Sequence, residues 1–325
     1  MDAEIITVQG LTKVYRVPER ESGLRALVRP AYTAVPAATD LTFAIRAGEM
    51  VGLIGQNGAG KTTTLKMLSG LLYPTSGEAR VAGFTPWERK DEFLSRISMV
   101  LGNKSQMIWD IPPLDTLKVL AEIYRVPADE FRRRLDELSE LLEMGDLLTR
   151  PVRNLSLGER MKCELAAGLL HRPEVLFLDE PTLGLDVSIQ ARVRRYVADY
   201  TRRYGATVIL TSHYMADVLA LCPRVILIHG GRILYDGELN GLARRLAPYK
   251  LLKVTLGAAP DGLPALPPGA EAIGQDDQTL TLRVGRNDAP RITAALLNTL
   301  PVADLVVEDP PLEAVIDKIY QEGAL

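Results

Sequence analysis

The chain has 325 residues, 47% of them apolar and 24% charged, a composition of folded rather than disordered protein and a length that favours two domains. Its net charge is −3 and its pI near 5.8, without the basic excess of a duplex-binding protein, so no nucleic-acid partner is expected. The two cysteines, Cys163 and Cys222, form neither a disulfide framework nor a metal-ligand pair, which fits a reducing compartment.

Taken from the start, the chain shows no basic segment leading into an apolar one, so no secretory leader is expected. No apolar run reaches the roughly 18 residues of a membrane span, and any membrane role is expected to come through a partner. Residues 4–8 alternate as a strand. Residues 16–38 read as an insertion carrying Arg16, Arg20, Arg25 and Arg29 among three prolines. Within it Leu24, Leu27 and Val28 fall at helical spacing, which predicts a short helix over 19–29 stopped by Pro30. Its apolar stripe is expected to pack on the rest of the protein or on a partner. Strands are predicted over 41–45 and 50–54, the second an apolar run of the kind buried on both faces. A helix follows from Lys61, with Leu65, Leu68 and Leu71 on one side.

Residues 115–148 read as helical, residues 175–178 and 207–210 as buried strands. Strands over 225–228 and 232–235 flank Gly230 and Gly231 as a hairpin. Composition shifts near residue 248 into a Gly/Ala/Pro stretch with strand patterns over 251–256 and 279–284 on either side, followed by a helix over 289–300, a strand over 305–307 and a helix over 312–320. Two domains are expected, 1–247 of α/β type and 248–325 a small α+β domain.

Chemistry concentrates in three places. Gly55, Gln56, Asn57, Gly58, Ala59, Gly60, Lys61 and Thr62 match G-x-x-x-x-G-K-[ST] in full, between a predicted strand and a predicted helix. Glycines there let successive N–H groups turn inward on phosphate oxygens, and the helix adds its positive end. Lys61 supplies a charge for β- and γ-phosphates, the Thr62 hydroxyl reaches Mg²⁺, and Thr63 completes the nucleotide contact. That context outweighs a chance glycine-rich turn. An apolar strand then ends in Asp179 and Glu180. Strands often meet solvent in acids, but beside a phosphate loop Asp179 is placed to hold Mg²⁺ and Glu180 to activate water. Third, Ser156, Leu157, Gly158 and Glu159 open a helix. An S-x-x-E capping box explains Ser156 and Glu159 alone. Their place just before the Asp179 strand favours a second anion site, aimed at a γ-phosphate held by another subunit.

These pieces together resemble the ATP-binding cassette (ABC) family over most of residues 5–240. Residues 155–159 are similar to its LSGGQ signature, with Leu157 in place of a glycine and Glu159 in place of glutamine. Residues 182–186 resemble its D-loop, with Asp186 as the acid, and His213 resembles the switch histidine. Tyr15 matches the aromatic that stacks on adenine. For the Q-loop both Asn103 and Gln106 stand near the matching position, and Gln106 is preferred for its longer reach. The resemblance implies a P-loop NTPase cassette with a RecA-like core, an antiparallel β subdomain and a helical subdomain over about 103–170. It implies ATP and Mg²⁺ as cofactors, and Glu180 and His213 as catalytic groups. Implied partners are a transmembrane permease and a second copy or a homologous cassette. It also implies a place on the cytoplasmic face of a bacterial membrane, held through the permease. The insertion, the segment with Trp109 and Asp110, and the C-terminal domain look like those of ABC-2-type exporters. A soluble ABC ATPase acting on ribosomes or DNA, or a scaffolding cassette without turnover, are the other readings. The single cassette argues against the first, and Glu180 with His213 against the second.

Overall fold

The computed structural model describes residues 3–18, 32–102, 105–212, 214–239, 241, 248–257, 264–311 and 315–316. In chain order its elements are β1 (Glu4–Pro18), β2 (Tyr32–Arg46), β3 (Met50–Ile54), α1 (Lys61–Leu68), β4 (Ser76–Val81), α2 (Asp91–Arg96) and β5 (Ile97–Leu101). Next come α3 (Pro113–Ile123), α4 (Ala128–Leu142), α5 (Leu157–Leu169), β6 (Val175–Asp179), α6 (Val187–Tyr204), β7 (Thr207–Thr211) and α7 (Met215–Leu221). The hairpin β8 (Arg224–His229) and β9 (Arg232–Glu238) follows. The last elements are β10 (Tyr249–Leu256), β11 (Ala270–Asp276), β12 (Thr279–Gly285), α8 (Ala289–Thr299) and β13 (Val302–Glu308). The chain divides into two compact units after Glu238, where β9 ends.

In the first unit a six-stranded sheet runs in the order β5-β6-β7-β3-β8-β9. Its first five strands are parallel and β9 is antiparallel to β8. β6 and β7 are buried along their whole length, as their continuous apolar runs require. A second sheet, β2-β1-β4, is antiparallel. Ile6, Val8 and Leu11 of β1 and Leu41, Phe43 and Ile45 of β2 share a core with Leu65 and Leu68 of α1 and with Phe177, Ile209 and Ile226 of the parallel sheet. Helices α3, α4 and α5 intervene between β5 and β6.

The expected insertion over 16–38 takes a different form in its described parts. β1 and β2 continue as a ribbon that pairs Tyr15 with Val35, Arg16 with Ala34 and Pro18 with Tyr32. Prolines at 18 and 36 and mostly exposed side chains hid these strand ends. Proline is tolerated here because, among the described residues, no further strand pairs with the ribbon ends to call for its missing N–H. The helix predicted over 19–29, with Leu24, Leu27 and Val28, lies outside the described residues. Three further strands, β4, β5 and β11, were not anticipated; β4 and β11 are mostly exposed edge strands whose patterns are weak.

The second unit is an antiparallel sheet in the order β11-β12-β10-β13 with α8 against one face. Leu252, Val254 and Leu256 of β10 and Leu280, Leu282 and Val284 of β12 alternate onto Ala289, Ile292 and Leu296 of the helix.

Candidate functional site

The phosphate loop starts where β3 ends and finishes in α1. Gly60 caps the helix at φ 106°, a conformation that L side chains rarely adopt. A Cβ there would lie 2.2 Å from the Ala37 carbonyl oxygen, and one on Gly55 would lie 2.4 Å from that of Ile228. Both glycines are therefore demanded by close backbone approach. Gln56, Asn57 and Gly58 are exposed at the loop tip, Ala59 is buried, and Thr63 is half-buried on α1.

Lys61 is buried and folds back along its own loop. Its Nζ donates to the carbonyls of Gly55 at 2.6 Å and Gln56 at 3.0 Å. Burial lowers its pKa, and the carboxylates of Glu180 and Asp179 oppose that shift. Thr62 Oγ1 donates to the Asp179 carboxylate at 2.9 Å. Thr211, at the end of the neighbouring strand β7, donates its hydroxyl to Asp179 at 2.6 Å. Glu180 turns away from β6 at φ 56°, a strained conformation for a residue with a side chain. Its N–H is held by the carbonyl of Thr211 at 3.0 Å and its hydroxyl at 3.2 Å. Lys61, Thr62, Asp179 and Glu180 thus converge as expected, while Thr211 was missed. A threonine ending a buried strand carries no signal until the strand order places it beside Asp179.

Beneath this cluster lies a second network. Asp217 is fully buried and accepts from Thr182 Oγ1 at 2.6 Å, Ser212 Oγ at 2.7 Å and Arg194 Nε at 2.6 Å. It ties the segment after Glu180 to the segment after Thr211. His213 lies outside the described residues. The flanking Tyr214 donates its N–H to Ser212 Oγ at 3.0 Å.

Tyr15 stands half-exposed on the ribbon, with the Lys13 ammonium 5.5 Å from its ring centre. Its partner Val35 is two residues from Ala37, which touches the phosphate loop. The strand that pairs with Tyr15 thus runs on to the phosphate loop.

Ser156 and Glu159 do form a reciprocal capping box at the start of α5. Arg150 reaches Glu159 at 2.5 Å. The backbone N–H of Ser156 is the main cause holding the Glu159 carboxyl below its usual range. Leu157 and Gly158 lie against the D-loop: a Cβ on Gly158 would come within 2.7 Å of the Gly184 carbonyl oxygen. Asp186 caps α6 by accepting from the N–H of Ile189 at 3.0 Å. That bond is the first cause of its lowered pKa. Asn103 lies outside the described residues. The Gln106 side-chain amide donates to the Met99 carbonyl of β5 at 3.0 Å.

The family model described as ABC transporter matches residues 38–183, and one described as EvrA-like ABC transporter, C-terminal domain, matches residues 248–308. The chain is 35% identical over 208 residues to the ABC transporter ATP-binding protein NatA of Bacillus subtilis, covering 64% of this chain and 84% of NatA. It is 31% identical to the Nod factor export ATP-binding protein I of Ralstonia nicotianae, covering 78% of each. A dimeric ATP-binding cassette in a post-hydrolysis state, bound to ADP and Pi, has the same fold, with a TM-score of 0.62 at 22% identity over 72% of this chain and 98% of that one. The phosphate loop, the Asp179–Glu180 strand end and this relationship make the chain a member of the ABC transporter family, as an ATP-binding and hydrolysing cassette subunit.

Proposed function

We propose that the chain is the motor subunit of an exporter, in which two cassettes pair head to tail. Each clamps ATP between its own phosphate loop and the partner's signature helix. The observation that carries this is a division of labour. Lys61, Thr62, Asp179 and Glu180 converge at one place, while Ser156 and Glu159 open a separate helix with their bonds satisfied locally. That helix start suits an anion brought by a second cassette. The dimeric relative supports the pairing. The likeness to a Nod factor export protein along most of both chains supports export.

In this reading Lys61 exchanges its bonds to the loop carbonyls for β- and γ-phosphate oxygens. The Thr62 hydroxyl and the Asp179 carboxylate, 2.9 Å apart, are hard oxygen donors of the kind Mg²⁺ takes. When bound, that ion neutralises phosphate charge. Gln106, whose amide nitrogen is bonded to the Met99 carbonyl, would join it through its amide oxygen; Asn103 is the other amide. Glu180 accepts a proton from water as its oxygen bonds to the γ-phosphorus and the bond to the β-phosphate oxygen breaks, giving ADP and phosphate. His213, Asp186 and the partner's signature helix complete the pocket, and Tyr15 stacks on the base. Among the described residues no helix is long and apolar enough to cross a membrane. A separate permease at the cytoplasmic face turns closure into transport. Trp109 and Ile108, half-exposed in the loop after β5, and Val119 and Ile123 of α3 offer it an apolar face. Residues 248–325 form a separable accessory domain.

The test is Glu180→Gln. It should bind ATP, lose about 10²–10⁴-fold in hydrolysis, and collect as a dimer on gel filtration with ATP. Unchanged turnover, or a monomer at saturating ATP, rejects the reading. Identification of the permease that co-purifies from membranes decides for or against export.

A further inference from the structure

One buried charge in the cassette is used by none of these steps. Glu164 lies two turns into α5, is 3% exposed, and sits in an otherwise apolar helix face. Among the described residues no lysine or arginine pairs with it. Its carboxylate is held instead by the loop after β5: Ser105 Oγ donates at 2.5 Å, the Gln106 N–H at 2.9 Å and the Met107 N–H at 3.2 Å. Burying a carboxylate without a cation is costly unless several donors converge on it. Two successive backbone N–H groups and a hydroxyl supply that convergence, and hydrogen bonds to a charged group are the stronger kind.

The same loop is fastened to the other side of the signature. The Arg153 N–H donates to the Trp109 carbonyl at 3.0 Å and the Val152 N–H to that of Ile111 at 3.2 Å. The Arg160 guanidinium lies 5.1 Å from the Trp109 ring centre. Residues 105–111 are thus bound both before and after residues 156–159. Glu164 is the innermost of these ties, eight helical positions from Ser156, or about 12 Å along a rigid axis.

We propose that Glu164 is a positioning residue that clasps the loop after β5 to the signature helix, so that the two move as one body. The loop carries Ile108 and Trp109, both about half exposed, the pair offered above to a permease. Through the clasp, a displacement of that loop becomes a displacement of Ser156–Glu159, and with it a gain or loss of the partner's γ-phosphate contact. The proposal rests on the head-to-tail reading for its consequence, but the clasp itself belongs to one protomer.

The experiment uses the purified full chain and the variants E164Q, E180Q and E164Q/E180Q. The amide of E164Q places a donor against the loop's own N–H groups. Hydrogen exchange of the ATP-free protein should then speed up at least tenfold in the peptide 105–111 and, together with it, in the peptide 156–161, while β3 and β7 stay protected. Binding of a fluorescent ATP analogue with Mg²⁺ should change by less than about twofold, because Lys61 and Thr62 are untouched, while kcat falls at least tenfold. The ATP concentration for dimerisation of E164Q/E180Q should rise at least tenfold over that of E180Q. Faster exchange in the loop alone, with 156–161 unchanged, overturns the clasp. So does a dimerisation midpoint equal to that of E180Q. If E180Q itself stays monomeric with ATP, the head-to-tail reading fails, and the exchange data still decide the clasp. Should E164Q not fold, Ser105→Ala removes one donor and leaves the carboxylate in place. The same paired acceleration, smaller in size, is then expected, and its absence from 156–161 overturns the proposal.

Discussion

Removing the Asp217 carboxylate should be among the most destabilising single changes in the cassette. Asp217→Ala leaves the Arg194 guanidinium, whose side chain is only 20% exposed, without its partner 2.6 Å away. It also takes the acceptor from the hydroxyls of Thr182 and Ser212. Breaking a buried ion pair from one side costs about 3–5 kcal/mol, mostly from the charge left behind. For a unit of this size each kcal/mol lowers Tm by about 2–4 °C, so a fall of roughly 6–20 °C is expected in thermal unfolding. The double variant Asp217→Leu with Arg194→Met removes both charges together. It should recover much of the loss, because no uncompensated charge remains. A single variant that melts within about 2 °C of the parent refutes the reasoning. So does a double variant less stable than the single one. Because the network joins the segments after Glu180 and Thr211, the single variant should also lose ATPase activity at temperatures where it is still folded.

Lys61→Ala should weaken ATP binding and abolish hydrolysis, whereas Tyr15→Ala should cost only about 1–3 kcal/mol of binding, the worth of one aromatic–base stack; equal affinities by titration would contradict both assignments. Mixing Ser156→Arg with Lys61→Ala chains should restore part of the activity that neither has alone, since one composite site in a mixed dimer carries neither lesion. Mixed dimers without rescue would count against the shared site. His171 is pushed down to about 4 from 6.5, by burial first. The unfolded chain therefore binds this proton more readily than the folded one, and stability should fall as pH drops from about 6.5 to 4, by roughly 3 kcal/mol in all. His171→Phe, which keeps the stack on Tyr124, should flatten that slope in denaturant titrations. A chain ending at residue 247 should still bind ATP, and loss of binding in a folded truncated chain would contradict a separable second domain.

What could be read from the sequence is what is local. The phosphate loop is contiguous, and its strand, turn and helix lie within 20 residues of one another. The capping box of α5 is local in the same way, and so is the alternation within β10 and within β12. What escaped is long-range. Thr211 meets Asp179 across 32 positions and Glu164 meets Ser105 across 59. In the sequence Thr211 only closes an apolar run, and Glu164 is a lone acid leading into one. The β1–β2 ribbon escaped because its ends are exposed and carry prolines, so neither alternation nor burial marked them.

Leu157, the side chain that stands where a glycine is usual in this family, has a consequence for how the chain can change over time. Its Cδ2 and Cγ lie 2.9 and 3.0 Å from where a Cβ on Gly184 would sit, and Gly184 is at φ 76°. An alanine at 184 therefore meets two obstacles of unequal weight: the left-handed strain of about 1–2 kcal/mol, which no neighbour can relieve, and the end of a leucine side chain that is 46% exposed and can swing aside. A smaller residue at 157 would remove the second obstacle and leave the first.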